Sequence, residues 1–357
     1  MSIVCWGWND YFEAVWKDAE RGNAVPARVI AQSRGVWRVA GDFGECPAEA
    51  AGKLRLAAEE GADWPAVGDW VAAELRDQRS AAQIHEVLLR RSRFVRKMAG
   101  KKIAEQVIAA NVDIALLVSA LDGDFNPRRV ERYLTQCWES GAKPAIVLNK
   151  ADACETPQER IEEMARVAMG VPVCAVSAKT GQGFDELGKY FARGQTLVLL
   201  GSSGVGKSTI VNRLLGRAIQ EVREVRESDS RGRHTTTTRE IFALPGGALL
   251  MDTPGLRELQ LWDAQEGISQ TFWDIDELAG RCRFGNCRHN GEPGCAVETA
   301  IKAGALEVAR LENWRKLQRE MEFLKRKADP EANHNEKQRI KQLMRGVNKM
   351  YRNREKS

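Results

Sequence analysis

The stretch Gly201-Ser202-Ser203-Gly204-Val205-Gly206-Lys207-Ser208 constrains this chain more than any other. It has the form GxxxxGKS. An apolar run, Thr196 to Leu200, leads into it, and a helix-compatible run, Lys207 to Leu215, leads out. Strand, glycine loop and helix in that order make a phosphate cradle. The glycines let backbone N–H groups turn inward around an anion. Lys207 brings a point charge for β- and γ-phosphates, and the Ser208 hydroxyl brings a ligand for Mg²⁺. The helix start adds its positive dipole end. Gly201 through Thr209 is thus the candidate phosphate-contacting segment, with Lys207 also a candidate catalytic residue.

The surroundings suit such a loop. From about 110 to 275 apolar runs alternate with helix-compatible ones. Asp113–Leu121, Ala145–Leu148, Pro172–Val176, Thr196–Leu200, Ile241–Leu244 and Ala248–Met251 read as strands. Arg128–Ser140, Pro157–Met169 and Lys207–Leu215 read as helices. Such alternation implies a parallel sheet covered by helices. Each candidate motif follows a strand, and open α/β sheets bind ligands at those carboxyl ends.

Asn149-Lys150-Ala-Asp152 follows the strand Ala145–Leu148. The Asp152 carboxylate accepts from guanine N1–H and from the 2-amino group, and adenine offers neither donor. Two such charged hydrogen bonds, each worth about 1.5–3 kcal/mol, give roughly 10²–10⁴-fold discrimination. Asn149 is read as a brace for the surrounding loops, and the Lys150 stem as lying along the base. Ser177-Ala178-Lys179 follows the next strand and is positioned to meet the guanine carbonyl. After the phosphate loop comes Asp252-Thr-Pro-Gly255, in which Asp252 would hold Mg²⁺ through water and the Gly255 amide would sense the γ-phosphate. The motifs are those of a GTPase in rotated order: the base reader precedes the phosphate loop. An ATPase or kinase would require both guanine-type loops to be accidental.

Between the phosphate loop and Asp252 lies Arg231-Gly-Arg233-His234-Thr235-Thr236-Thr237-Thr238. One threonine of this run would reach Mg²⁺; Thr236 and Thr237 are the candidates. Ras-like enzymes place a water-orienting glutamine just after the DxxG element. Here that position is Leu256, which cannot hold water. Slow intrinsic hydrolysis is therefore expected, with an outside partner completing the site. His234 is the nearest water-positioning candidate.

Cys282-x₄-Cys287-x-His289-x₅-Cys295 is a compact set of three thiolates and one imidazole. It satisfies tetrahedral Zn²⁺ and leaves no position open, so a structural rather than catalytic zinc is expected. The other five cysteines are scattered, which fits a reducing cytoplasm. No apolar run approaches the roughly 18 residues of a spanning helix, and no membrane association is expected. The net charge is +5, but basic residues concentrate in the tail from Lys337 onward. A terminal run of this kind fits a polyanion, or else a solvated helix end.

Residues from about 24 to 98 contain short strands punctuated by glycines: Ala27–Ile30, Val36–Val39, Trp70–Ala73 and Ile84–Leu89. A small β-barrel of OB type or another small β-domain fits them. The basic stretch from Arg90 to Lys97 is a linker or an RNA-facing edge. From Val297 to Arg354 the chain is charged and helix-compatible, with Pro330 dividing two helices.

The series NKAD, SAKTG, GSSGVGKS, GRHTTT and DTPG, followed by the cysteine–histidine set, resembles the circularly permuted GTPases, most closely the small-ribosomal-subunit-dependent GTPase A family. The resemblance covers about residues 24 to 355. It implies a multidomain chain: an OB-fold over 24–98, a permuted α/β P-loop GTPase core over 99–277, and a helical zinc domain with a basic tail over 278–357; residues 1–23 are an extension to which it gives no role. It implies GTP hydrolysis stimulated by the small ribosomal subunit, with a role in late subunit maturation and contact with rRNA. A monomer is expected. The resemblance puts nucleotide contacts on Asn149, Lys150, Asp152, Ser177–Lys179 and Gly201–Thr209, and zinc ligands on Cys282, Cys287, His289 and Cys295. An RNA-binding assembly factor in which GTP only sets conformation is the alternative that Leu256 keeps open.

Overall fold

The computed structural model describes residues 1–33, 35–57, 64–97, 105–123, 125–216, 239–253 and 264–328. The chain divides into two compact units, Met1–Gln260 and Leu261–Ser357. Among the described residues, no helix is long and apolar enough to cross a membrane.

The first unit opens with a 3-10 turn, Ile3–Trp6, and helix α1, Asp10–Lys17. Asn9 caps α1 by accepting from the Tyr11 and Phe12 amides. Strands β1 (Val25–Ser33), β2 (Val36–Gly41) and β3 (Gly44–Ala50), helix α2 (Gly52–Ala57), and strands β4 (Trp70–Arg76) and β5 (Ala81–Val87) follow. The strands join in the order β1-β2-β3-β5-β4, and β4 pairs back onto β1 to close a five-strand barrel. Only β3 and β5 run parallel within it. Strand β3 escaped sequence reading because Gly44-Glu-Cys-Pro-Ala-Glu-Ala lacks β-branched residues. Its alternating burial is set by the barrel. Strand β5 begins three residues before the expected Ile84, on the weak strand formers Ala81-Ala82-Gln83.

Alternation decides which side chains fill the barrel. Ala27, Val29, Trp37, Val39, Val71, Ala73 and Ile84 share one interior cluster. Ile30, Ala40, Trp70 and Ala72 belong to a different cluster, together with Trp6, Trp8 and Phe12. The aromatic residues of the first segment therefore cover an outer face of the barrel. Trp8 meets Trp70 edge-on with centroids 4.7 Å apart, and Phe12 lies 5.8 Å from the same ring.

A two-strand ribbon, β6 (Arg93–Lys97) and β7 (Glu105–Ala110), comes next. The basic stretch from Arg90 to Lys97 is thus partly a strand. The sheet then follows: β8 (Ile114–Ala120), α3 (Pro127–Ser140), β9 (Lys143–Asn149), α4 (Pro157–Val167), β10 (Val173–Ala175), α5 (Phe184–Gly188), β11 (Thr196–Leu200), α6 (Lys207–Leu215), β12 (Arg239–Ala243) and β13 (Leu249–Asp252). Its order is β10-β9-β8-β11-β13-β12, with only β12 antiparallel to its neighbour. Alternate residues of β8 feed opposite faces. Ala115 and Leu117 share one cluster with Val130 and Leu134 of α3, while Leu116 and Val118 share another with Leu187 and Ile210. Burial on both faces explains the unbroken apolar run of β8.

Strand β1 also pairs with β12, through Ala31↔Glu240 and Gln32↔Arg239, so barrel and sheet are one hydrogen-bonded surface. At this seam Arg38 of β2 forms an ion pair with Glu240. Arg28 of β1 is 2% exposed. Its guanidinium donates to Thr196 Oγ1 (2.8 Å), Asn111 O (3.2 Å), Gly68 O (3.3 Å) and Trp6 O. Burial pulls its pKa down to about 10, opposed by Asp113 and Asp69, and it remains charged at neutral pH. Arg28 thereby ties the N-terminal turn, the barrel and the start of β11.

In the second unit, α7 (Gln265–Thr271), α8 (Trp273–Ala279), α9 (Ala296–Lys302) and α10 (Val308–Ala328) enclose Ile268, Phe272, Ile275, Val297, Leu311 and Leu317. Arg310 is buried and paired with Asp274 through two 2.8 Å bonds. The helical stretch after Val297 breaks well before Pro330, between α9 and α10, where Gly304 takes φ +72°. The segment after Pro330, with its basic tail, lies outside the described residues.

Arg28→Met keeps apolar bulk but leaves buried carbonyls without a donor, each costing roughly 1–3 kcal/mol. A lower urea midpoint is expected, followed by tryptophan emission, since the guanidinium lies 5.6 Å over the Trp70 ring. An unchanged midpoint would show that Arg28 does not tie these elements.

Candidate nucleotide site and metal cluster

Strands β8, β9, β10, β11 and β13 are parallel, so their carboxyl ends share one edge. That edge carries the loops after Ala120, Asn149, Ala175, Leu200 and Asp252. The phosphate loop leaves β11 and ends at Gly206, which caps α6 with φ +93°. Two glycines here are sterically required. A Cβ on Gly201 would lie 2.3 Å from Val118 O, and one on Gly206 2.2 Å from Asn149 Nδ2. Lys207 is buried, and its ammonium donates to Gly201 O at 2.6 Å and to Ser202 O.

Asn149 is 2% exposed. Its Nδ2 donates to Val205 O of the phosphate loop (2.9 Å), and its Oδ1 accepts from the Ala178 amide (3.0 Å). One side chain thus joins the loops after β9, β10 and β11. Ser177 Oγ donates to Asp152 Oδ1 at 2.6 Å and accepts from the Thr180 amide at 3.1 Å. The Ser177 hydrogen bond, with help from Lys179, holds the Asp152 carboxyl below the usual carboxylate range. Asp152 is therefore an ionised acceptor at neutral pH. Lys150 adopts left-handed backbone, φ +65°, and its ammonium meets Asp122 Oδ2 at 2.5 Å.

Ala120, Asp122, Arg129, Lys150, Ser202, Ser203 and Gly204 line a cavity of about 500 Å³. Asp122 and Arg129 were missed in the sequence, although both follow the end of β8 closely. Arg213 was also missed. It donates to Ala178 O (2.9 Å) and Lys179 O (3.0 Å), fixing the loop after β10 from α6. Ser208 and Thr209 occupy the exposed first turn of α6, and Asp252 ends β13. His234, Thr235–Thr238, Gly255 and Leu256 lie outside the described residues.

In the second unit, one donor atom from each of Cys282, Cys287, His289 and Cys295 lies within 4.8 Å of the others. Cys282 Sγ and Cys295 Sγ are 3.9 Å apart, and both sit near His289 Nδ1, at 3.6 and 3.5 Å. Tetrahedral zinc with its usual bond lengths needs donor separations of about this size. The Ala296 amide donates to Cys282 Sγ and the Glu298 amide to Cys295 Sγ, both at 3.4 Å, which favours thiolates. Burial lowers the His289 pKa, favouring the neutral imidazole a metal requires. Arg315 donates to His289 O and fixes its left-handed backbone, φ +57°. The residues fit zinc.

The family model described as RsgA GTPase matches residues 87–262. Over 355 residues the chain is 42% identical to the Small ribosomal subunit biogenesis GTPase RsgA of Opitutus terrae, covering 97% of each chain. The chain belongs to the RsgA GTPase family. The structure of YjeQ from Thermotoga maritima matches with TM-score 0.62 and 26% identity, over 84% of this chain and 98% of that one. The structure of YloQ, a circularly permuted GTPase, matches in fold with TM-score 0.60 and 23% identity, over 86% and 97%. The RsgA-family fold is the one described above: an N-terminal five-strand barrel, a permuted GTPase sheet, and a C-terminal helical unit with a Cys₃His cluster.

Gly206→Ala tests the contact between the loops of this RsgA-family site. The left-handed backbone alone costs a non-glycine residue about 1–2 kcal/mol, and the new Cβ collides with Asn149. At least tenfold weaker GDP binding is expected by calorimetry. Wild-type affinity would show that this close approach is dispensable.

Proposed function

We propose that this chain hydrolyses GTP to GDP and phosphate in the late maturation of the small ribosomal subunit, with turnover stimulated by that subunit. The observation that carries this reading is Asn149, which binds the phosphate loop and the Ser177–Lys179 loop at once. It supports one pocket in which Asp152 reads the guanine edge, Lys150 lies along the base, and Ser177, Ala178 and Lys179 face the guanine carbonyl. Gly201–Thr209 then cradle the phosphates, with Lys207 neutralising charge in the transition state. Ser208 and Asp252 would hold Mg²⁺, directly and through water. Gly255, Thr236 or Thr237, and His234 keep the roles read from sequence: γ-phosphate sensor, Mg²⁺ ligand and water positioner. The cluster Cys282–Cys287–His289–Cys295 holds one structural zinc, which braces the helical unit and takes no part in hydrolysis.

The finer organisation belongs to the same reading: residues 1–23 as an extension, 24–98 as an rRNA-binding OB-fold, 99–277 as the GTPase core and 278–357 as the zinc domain with a basic tail. The protein acts as a cytoplasmic monomer on rRNA of the small subunit, and its binding weakens steeply with salt. Leu256 in place of a glutamine favours one other reading, an assembly factor whose GTP sets conformation without turnover.

GTP turnover with and without purified small subunits separates the two readings. Stimulation by small but not large subunits is expected; equal turnover in both conditions would favour the conformational factor. Asp152→Asn is expected to move preference from guanine to xanthine nucleotides, because the amide donates to the extra carbonyl. Unchanged preference would remove Asp152 as the base reader. One equivalent of zinc per chain is expected by elemental analysis, lost in Cys287→Ser, and a chelator is expected to unfold the helical unit. Retention of a full equivalent in Cys287→Ser would exclude this ligand set.

A further inference from the structure

Helix α3 reaches the phosphate loop with two side chains. Arg129 Nη1 donates to Ser202 Oγ at 3.0 Å, and Tyr133 Oη lies 3.3 Å from the same oxygen. The two residues are one turn apart and project from one face of the helix. Their base is rigid. Asn126 caps α3 and accepts from the Arg129 amide at 3.2 Å, Pro127 occupies its first turn, and Val130 and Leu134 are buried beneath. Ser202 is the second residue of the loop, and its carbonyl accepts from the Lys207 ammonium. Whatever orients Ser202 therefore orients an acceptor of the phosphate-loop lysine. Arg129 and Ser202 both line the cavity that also holds Lys150, Ser203 and Gly204.

We propose that Arg129 is a positioning residue for the nucleotide site: acting through the Ser202 hydroxyl, it sets the shape of the phosphate loop and thus its grip on the β-phosphate. The proposal rests on the nucleotide reading given above. Because Arg129 donates, the Ser202 oxygen accepts, and the same oxygen shares a second hydrogen bond with the Tyr133 hydroxyl. A guanidinium suits the task, since it is planar and always charged, and one of its nitrogens already donates to the loop.

A double-mutant cycle tests the coupling. Arg129→Met and Ser202→Ala are each expected to weaken GDP binding about tenfold, the scale of one charge-assisted hydrogen bond. The double variant is expected to be no weaker than either single one. GMP, which lacks the β-phosphate, is expected to bind all variants as it binds the parent. Arg129→Lys, which retains a donor, is expected to recover part of the loss. Additive losses, a neutral Ser202→Ala beside a weakened Arg129→Met, or equal losses for GMP and GDP would each overturn the proposal. Wild-type GDP affinity in both single variants would do so too. Asp152→Asn in the same assay tests the base-reading assignment separately: it changes which base is bound and leaves the Arg129–Ser202 coupling in place.

Discussion

One edge of strand β1 is divided between two partners. Val25 to Arg28 pair with β4 and close the barrel, while Ala31 and Gln32 pair with β12 and extend the sheet. A bulge between Val29 and Ala31, in the pairing with β2, accompanies the change of partner. This arrangement leaves Arg28 between the two bodies, away from solvent. A buried guanidinium is costly unless its donors are used, and here they meet acceptors from the N-terminal turn, from Gly68, from Asn111 and from β11. The barrel and the sheet are held together by main-chain pairing, a shared apolar cluster, the Arg38–Glu240 ion pair and the desolvated Arg28. The strand that Arg28 touches at Thr196 ends four residues later at Leu200, where the phosphate loop begins.

The candidate nucleotide edge depends on parallel strands rather than on chain order. Each loop that faces the cavity leaves the carboxyl end of a strand, and the sheet places those ends side by side. Rotating the order of the motifs therefore moves the chain termini and leaves the edge unchanged. What makes the loops one site is the pair of bonds from Asn149, supported by Arg213 on the far side of Ala178. The approach is so close that only glycine fits at 206. The Ser177 hydrogen bond and Lys179 lower the Asp152 pKa, and Asp122 meets the Lys150 ammonium.

The helical unit has a modest core, with Phe272, Val297 and Leu311 among its buried residues. The Cys₃His cluster lies beside that core and takes two backbone amides from the start of α9 onto its sulfurs. Ligands drawn from a loop need such fixing, because turns alone do not hold donor atoms at metal distances. His289 in left-handed backbone, held by Arg315 from α10, shows how closely the loop is shaped.

Much of this was legible without coordinates. The glycine pattern around Lys207, the apolar runs before each motif and the spacing of Cys282, Cys287, His289 and Cys295 report local requirements: turn geometry, burial on both faces of a sheet, and ligand number. These needs act within a few residues of one another, so they leave a mark in sequence. Strand β3, with its glycine, proline and alanines, left no such mark. Neither did the seam between β1 and β12, the placement of Arg28, or the reach of Arg129 and Tyr133 to Ser202. Each is an encounter between residues 22 to 209 positions apart or, for β3, a strand made by its neighbours. The chemistry of the loops was written locally by the sequence. Which distant side chains brace those loops was decided only when the chain closed on itself, because hydrogen bonds and burial depend on distance in space rather than along the chain.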